Sequence, residues 1–146
     1  MSAAPEAHSI RHGCERELFA ALVSRLNQCP FCTQVHAAMV TIRFNPAPDS
    51  AQIQGWREQP LDARVAAGLD LVEKATMQRE DVGPEDIPRA RAGGLSDVAI
   101  ADALHVAFVF NLINRVANAF GFDGGGEANA RRGANCRRSS QARVLR

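Results

Sequence analysis

The chain has the pattern of a succession of amphipathic helices. Between His12 and Gln28 leucines recur at every fourth position, with further apolar residues beside them, so one helical face is apolar. Pro30 suits the first turn of a second helix, which extends to about Phe44, because that turn leaves its N–H groups unpaired in any case. No segment shows a convincing strand period. The pattern therefore predicts an all-α fold.

Turn-forming residues interrupt the helices after Phe44. Two prolines stand with Asn, Asp and Ser at positions 45–50, and this combination cannot continue a helix. A short helix is expected from about Ser50 to Glu58, and another begins at Pro60. We expect residues 81–88 to form a loop that contains a possible start of a short helix.

The last helix is the longest and the most apolar. Gly93-Gly94 stops the segment before it, Ser96 suits its N-cap, and Gly121 closes it after about Phe120. From Ala103 to Ile113 it is apolar on nearly every side, and such a helix must be covered on several sides. Because so small a chain has few helices to cover it, the pattern predicts a homo-oligomeric interface.

Composition favours one globular domain. The 146 residues are 46% hydrophobic and 23% charged, and the absence of Tyr beside seven Phe and one Trp weighs against all-β and base-stacking proteins. Residues 127–146 carry six Arg and one Glu, or +5, which leaves −4 for the residues before them. We expect a mobile N-terminus at 1–12, a helical domain at 13–122 and a solvated Gly/Arg-rich tail at 123–146 that binds no nucleic acid.

The cysteines, together with the expected compartment, indicate the kind of chemistry. No apolar run approaches the roughly 20 residues of a membrane span, and the start of the chain lacks the features of a signal peptide, so we expect a cytoplasmic protein without a membrane contact. The four cysteines are Cys14, Cys29, Cys32 and Cys136. In a cytoplasmic chain a close pair such as Cys29 and Cys32 indicates redox or metal chemistry. Cys14 and Cys136 are interpreted as unpaired thiols.

The segment Cys-Pro-Phe-Cys-Thr-Gln-Val-His at 29–36 carries the sharpest chemical signal. With a helix beginning at Pro30, Cys29 lies at its start, Cys32 one turn in and His36 one turn further, all on one face. A helix N-terminus lowers the pKa of a thiol, and two cysteines at this spacing can close a disulfide. His36 is placed to exchange a proton with Cys32.

A carboxylate on the preceding helix would complete this site. Glu17 lies at the edge of the apolar face, where it could orient His36 or accept a proton from the dithiol, and Glu15 is the competing candidate. Further along the chain, Asn111 and Asn114 are interpreted as helix–helix hydrogen-bonding residues. His105 is interpreted as a packing or interface residue whose role in the site stays open.

Together these residues resemble a known family. A Glu at 17, twelve residues, a Cys-x-x-Cys at 29–32 and a His at 36 are similar to the signature of the AhpD-like alkyl hydroperoxidases within the carboxymuconolactone decarboxylase superfamily. The last helix, from Asp102 to Gly121, resembles the peroxidase-related branch of that group. The resemblance covers roughly residues 15–122. The founding pattern has a His inside the Cys-x-x-Cys, where this chain has Phe31.

The resemblance implies an all-helical, homo-oligomeric, thiol-dependent peroxidase that uses neither cofactor nor metal. It implies that Cys32 is the peroxidatic thiolate, that Cys29 is its exposed resolving partner, and that Glu17 and His36 form a proton relay. It also implies a peroxide substrate and re-reduction by a dithiol partner, a lipoyl-bearing or thioredoxin-like protein.

Two other interpretations remain open. Cys29, Cys32 and His36, with Cys14 as a fourth ligand, could instead hold zinc in a non-enzymatic, redox-sensing or assembly module. The chain could also be a superfamily member that acts on a small organic substrate without thiol turnover.

Overall fold

The predicted all-α class is confirmed for the part of the chain that the structure describes. A computed structural model describes residues 13–43, 53 and 55–122, and within them the side chains except those of 13, 14 and 41–43. The predictions for residues 1–12 and 123–146, including that for Cys136, lie outside the described residues, as does the side chain of Cys14. No strand occurs in the described ranges. The α-helices are α1 (Gly13–Leu26), α2 (Pro30–Arg43), α3 (Ala63–Met77), α4 (Asp86–Ala92) and α5 (Asp97–Ala119).

The helix limits follow the turn formers closely at most positions. Helix α2 begins at Pro30, as predicted. Helix α3 begins at Ala63 rather than at Pro60, because the carboxylate of Asp62 caps it by accepting the N–H of Arg64 at 2.9 Å. Of the short helix expected between residues 50 and 58, the structure shows a 3-10 turn at Trp56–Glu58.

The segment 81–88, expected to be a loop with a possible helix start, does contain the start of a short helix. A 3-10 turn covers Arg79–Asp81, and α4 already begins at Asp86. Pro88 is therefore the third residue of a helix rather than part of a loop. The first turn of a helix has no internal partner for its N–H groups, so a proline there removes no hydrogen bond.

Helix α5 begins and ends as predicted. The Ser96 hydroxyl caps it by accepting the N–H of Ala99 at 3.2 Å, and Asp97 stands in its first turn. Gly121 ends it with a φ of +65°, in the left-handed region that glycine adopts at little cost. Gly94, with a φ of +97°, stops the preceding helix in the same way.

The core lies where α1, α3 and α5 meet, and α2 packs along α1. Gly68 lets α3 pack closely against Phe19 of α1 in this core, since a Cβ at position 68 would lie 2.4 Å from the Phe19 ring. The face of α5 toward the core is lined with small residues, which lets α1 and α3 approach it closely. The buried apolar residues of these three helices include Leu18, Phe19, Leu22, Val23, Leu69, Val72, Ala99, Ile100, Ala103 and Ala107.

The opposite face of α5 is apolar and exposed. Phe108, Leu112, Val116 and Phe120 recur every fourth residue, and the two Phe are 70% and 75% exposed. By length and composition α5 could cross a bilayer, and 28% of its most apolar window is buried within the described structure. The expectation that no segment meets these criteria is therefore wrong for α5, although long core helices meet them too.

Candidate redox site

The turn between α1 and α2 places Cys29 at the N-cap of α2. Gln28 adopts a left-handed conformation with a φ of +53°, which reverses the chain between the two helices. The N–H of Cys29 then donates to the carbonyl of Ser24 at 2.9 Å. Its carbonyl accepts the N–H of Thr33 at 3.0 Å and the Thr33 hydroxyl at 2.8 Å. Backbone bonds thus fix both sides of Cys29.

Both cysteines are free thiols buried beneath this turn. Cys29 is 0% and Cys32 4% exposed, and they form a small apolar cluster with Ala117 of α5, against which Phe31 packs. The expectation that Cys29 is exposed is therefore wrong within this chain. The reason is that the turn folds its side chain inward against the last turns of α5.

Burial changes the protonation of Cys32. It raises the pKa of the Cys32 thiol from an ordinary 9.0 to about 12, and the hydrogen bond with Cys29 and the electrostatic interaction with Cys29 act in the same direction. A backbone hydrogen bond to the sulfur lowers this pKa but is outweighed. The pKa of Cys32 thus shifts in the direction opposite to that expected for a helix N-terminus, so this thiol is protonated at neutral pH and needs a base before it can react.

Glu17 and His36 supply an acid–base pair close by. The Glu17 carboxylate lies 2.6 Å from Nδ1 of His36, and both side chains are partly buried. The ring of His36 also packs edge-on against Phe110 at 4.5 Å between centroids. One carboxylate bond and one aromatic contact therefore orient the imidazole, which lies one helical turn after Cys32.

Glu15, the competing carboxylate, is engaged elsewhere. It is buried and forms an ion pair with Arg64 on α3. It thus ties α1 to α3 and does not contact His36. The partial burial of Glu17 at the edge of α1 is the feature that distinguishes the two carboxylates.

Phe31 occupies the position of the family's additional histidine. Its ring meets Phe122 edge-on at 5.6 Å, and Phe122 in turn stacks on Phe120 at 6.1 Å. An apolar wall therefore stands beside the dithiol. Glu17 and His36 are the paired titratable side chains described one helical turn from Cys32.

Asparagines of α5 form hydrogen bonds with the turn that carries Cys29. The interpretation of Asn111 and Asn114 as helix–helix hydrogen-bonding residues is therefore confirmed. Asn27 donates to Oδ1 of Asn111 at 2.9 Å, and the Ser24 hydroxyl donates to Oδ1 of Asn114 at 3.2 Å. Their connection to Cys29 was not predicted. The spacing of residues 111, 114 and 118, which share one helical face, was the available signal.

The structure gives no support to a site role for His105 or to the zinc-binding interpretation among the described residues. His105 is exposed on α5. Among the described residues no three His, Cys, Asp or Glu side chains converge as metal ligands, so the zinc interpretation has no ligand set there. The side chain of Cys14, its fourth candidate ligand, is not described.

One cavity lies beside the dithiol and a larger one lies away from it. A shallow one of about 280 Å³ opens beside Cys29 and not beside Cys32. It is lined by Arg25, Gln28, Cys29, Pro30, Thr33 and Gln34. A larger cleft of about 540 Å³ lies away from the dithiol between α3 and α4, where the charged side chains of Arg57, Lys74 and Asp86 are paired with neighbours.

Comparison by sequence gives no relative. No family model matches the chain, and no curated protein matches it. Comparison by structure does give relatives.

An uncharacterized peroxidase-related protein from Silicibacter sp. TM1040 is 30% identical, with a TM-score of 0.72 over 87% of this chain and 65% of that one. A second structure, the alkylhydroperoxidase AhpD core of an uncharacterized peroxidase-related protein from Ralstonia eutropha, is 26% identical, with a TM-score of 0.71 over 84% and 67%. The chain thus spans about two thirds of the length of each. These structures confirm the resemblance to the AhpD-like, peroxidase-related branch.

Proposed function

We propose that this chain, which shares its fold with peroxidase-related proteins of the AhpD type, is a thiol-dependent peroxidase that acts through Cys29 and Cys32. The observation that carries the proposal is the 2.6 Å contact between Glu17 and His36, which lies one helical turn after Cys32 in a helix whose start holds two buried, free thiols. An oriented base next to a protonated thiol is the arrangement that nucleophilic catalysis by cysteine requires.

The first half-reaction consumes the peroxide. His36, held by Glu17, removes the proton of Cys32, and the thiolate attacks one oxygen of the O–O bond. An S–O bond forms, the O–O bond breaks, and the departing alkoxide takes up a proton to become an alcohol. Cys32 is left as a sulfenic acid.

The second half-reaction closes and reopens the disulfide. The sulfur of Cys29 attacks that of Cys32, an S–S bond forms, and the sulfenic oxygen leaves as water. An external dithiol, such as a lipoyl-bearing or thioredoxin-like protein, then supplies two electrons and two protons and is itself oxidised to a disulfide.

The assay is consumption of hydrogen peroxide or an alkyl hydroperoxide with dithiothreitol or dihydrolipoamide as reductant. We expect Cys32→Ser and Cys29→Ser each to reduce turnover to the rate without enzyme, whereas Cys14→Ser and Cys136→Ser retain it. Activity that survives both substitutions in the pair contradicts the proposal.

Two further results distinguish the alternatives. Stoichiometric zinc in protein purified under reducing conditions supports the metal-binding module instead. Turnover of an organic substrate that thiol alkylation does not affect supports a superfamily member without thiol chemistry.

A further inference from the structure

Three asparagines on one face of α5 hold the turn that carries Cys29. This turn, residues 24–29, is called the dithiol turn below. Asn111, Asn114 and Asn118 each exchange a hydrogen bond with it. They lie 84–91 positions away in the sequence from their partners, so the chain brings two distant segments together at the dithiol.

Asn114 is the most buried of the three. Its side chain is fully buried, and its Oδ1 accepts the Ser24 hydroxyl at 3.2 Å, while the Ser24 carbonyl accepts the N–H of Cys29 at 2.9 Å. This amide is therefore connected to the backbone of Cys29 through one intervening residue. Ala117, one turn further along α5, packs against both cysteines.

The amide nitrogen of Asn114 adds a second observation. Among the described residues it is the one buried side-chain nitrogen or oxygen without a hydrogen-bond partner. An unpaired buried donor costs free energy that an apolar residue of the same size would not. Packing alone therefore does not explain an asparagine at this position.

Asn111 and Asn118 hold the remainder of the turn. Asn118 donates to the carbonyls of Asn27 at 3.2 Å and Gln28 at 3.4 Å, and Asn111 accepts from the side chain of Asn27 at 2.9 Å. Gln28 has a left-handed φ of +53°, which a residue other than glycine adopts at a cost. These bonds hold Asn27 and the carbonyl of Gln28, the strained residue that immediately precedes Cys29.

We propose that Asn111, Asn114 and Asn118 are positioning residues that fix the dithiol turn and thereby set the equilibrium between the dithiol and the Cys29–Cys32 disulfide. The proposal rests on the proposed function, in which this pair cycles. A disulfide closes only when the two Cβ atoms are within a narrow range of separation. A turn already held in place loses less conformational freedom when the bond forms, so the asparagines favour closure.

The experiment equilibrates the full chain with mixtures of reduced and oxidised glutathione. Oxidised glutathione accepts two electrons as the protein disulfide forms and is released as two thiols. The fraction with a Cys29–Cys32 disulfide is read by mass after alkylation. Asn114→Leu keeps the volume and removes the amide, Asn118→Ala removes the exposed donor, and Asn118→Gln restores an amide.

A matched control separates positioning from general stability. Ser96→Ala removes one hydrogen bond from the same helix at its opposite end, where it caps Ala99. Asn118 is exposed, so Asn118→Ala tests the proposal even when Asn114→Leu fails to fold.

We expect the equilibrium constant for disulfide formation to fall about tenfold in Asn114→Leu, equivalent to about 30 mV. Asn118→Ala should lower it severalfold, Asn118→Gln should recover most of the loss, and Ser96→Ala should leave it unchanged. Wild-type constants in both asparagine variants, or an equal fall in Ser96→Ala, overturn the proposal while leaving the peroxidase intact. A wild-type protein that forms no disulfide in any mixture overturns both, and one that forms it without consuming peroxide overturns only the proposed function.

Discussion

At Cys32, burial and helix position act on the same thiol in opposite directions. The start of α2 offers backbone N–H groups that favour a thiolate, whereas the surrounding apolar cluster favours the neutral thiol. Burial prevails, and the pKa of Cys32 rises to about 12. A reactive cysteine in this site therefore depends on its neighbours for deprotonation more than on the helix.

This balance predicts how Cys32 responds to pH. In reduced protein its alkylation by iodoacetamide, followed by peptide mass, should increase steeply only as pH approaches about 12. Cys29→Ser removes the charge and hydrogen bond of Cys29, so the midpoint should fall but stay above 9.0, since burial remains. A wild-type midpoint at or below 9.0 contradicts this account.

The same shift has a consequence for stability. The folded chain holds the Cys32 proton more tightly than the unfolded chain, so its contribution is complete below the ordinary pKa of 9.0 and is lost as pH rises toward about 12. Cys32→Ser should remove this part of the alkaline decline in the free energy of unfolding.

The contact between Glu17 and His36 is expected to matter for turnover. Glu17→Gln keeps the shape of the side chain but removes the charge that orients His36. We expect peroxide turnover to fall about 10²- to 10⁴-fold, the range that general acid–base catalysis contributes. Glu80→Gln, on an exposed carboxylate of the 3-10 turn after α3, is the control and should retain turnover. Unchanged turnover in Glu17→Gln would remove Glu17 from the relay.

At the scale of elements, local signals sufficed for the helices with clear caps. Pro30, Ser96 and Gly121 mark the limits at which α2 begins and α5 begins and ends. The start of α4 within residues 81–88 could be predicted only as a possibility, because Pro88 indicates a break in the sequence but is tolerated in the first turn of a helix. The dithiol turn could not be predicted in detail, since its conformation depends on asparagines about 90 residues away.

An ion pair between the buried Asp86 and the partly buried Lys74 explains why α4 stays in place despite its shortness. Nζ of Lys74 lies 2.8 Å from both carboxylate oxygens of Asp86, and the N–H of Gly83 donates to the same group at 2.9 Å. The hydrogen bond from Lys74, followed by that from Gly83, holds the pKa of Asp86 below its usual 3.8. The pair therefore joins the first residue of α4 to α3.

Replacing Asp86 should destabilise the chain. Asp86→Asn removes the nearer carboxylate from the Lys74 ammonium and leaves it only Glu85 at 4.0 Å. We expect a loss of about 3 kcal/mol in the free energy of unfolding, measured by urea denaturation at neutral pH. Because the pKa of Asp86 is lowered, its contribution is present above 3.8 and is lost as pH falls below that value, so the variant should also lose part of its acid sensitivity. Asp70→Asn, in an exposed ion pair with Arg57, should cost less than about 1 kcal/mol. Equal losses in the two variants contradict the structural role of Asp86.

At the scale of the whole molecule, the uncovered face of α5 is the main feature. Phe108, Leu112, Val116 and Phe120 form a continuous apolar stripe, and the Phe120 end adjoins the aromatic wall beside the dithiol. Self-association, which the sequence predicts from this helix, remains a prediction. A second copy on the stripe would cover apolar surface next to the site.

Charge on this stripe should disrupt the assembly. We expect the wild-type chain to sediment as an oligomer and Leu112→Glu to shift it toward the monomer in analytical ultracentrifugation, because a buried carboxylate opposes the contact. Met77→Glu alters an equally exposed apolar residue on α3 and serves as the control. A monomeric wild-type chain, or identical sedimentation of the three proteins, contradicts the prediction.

Under the proposed mechanism, peroxide converts the two thiols beneath the dithiol turn into one disulfide. This conversion is read from the intact mass of the full chain, with peptide mapping, after mild treatment with peroxide in the absence of reductant. We predict the loss of two hydrogen atoms, located to a Cys29–Cys32 bond and reversed by dihydrolipoamide. Thiols that remain reduced, or that pass directly to sulfinic acid without forming this bond, would contradict it.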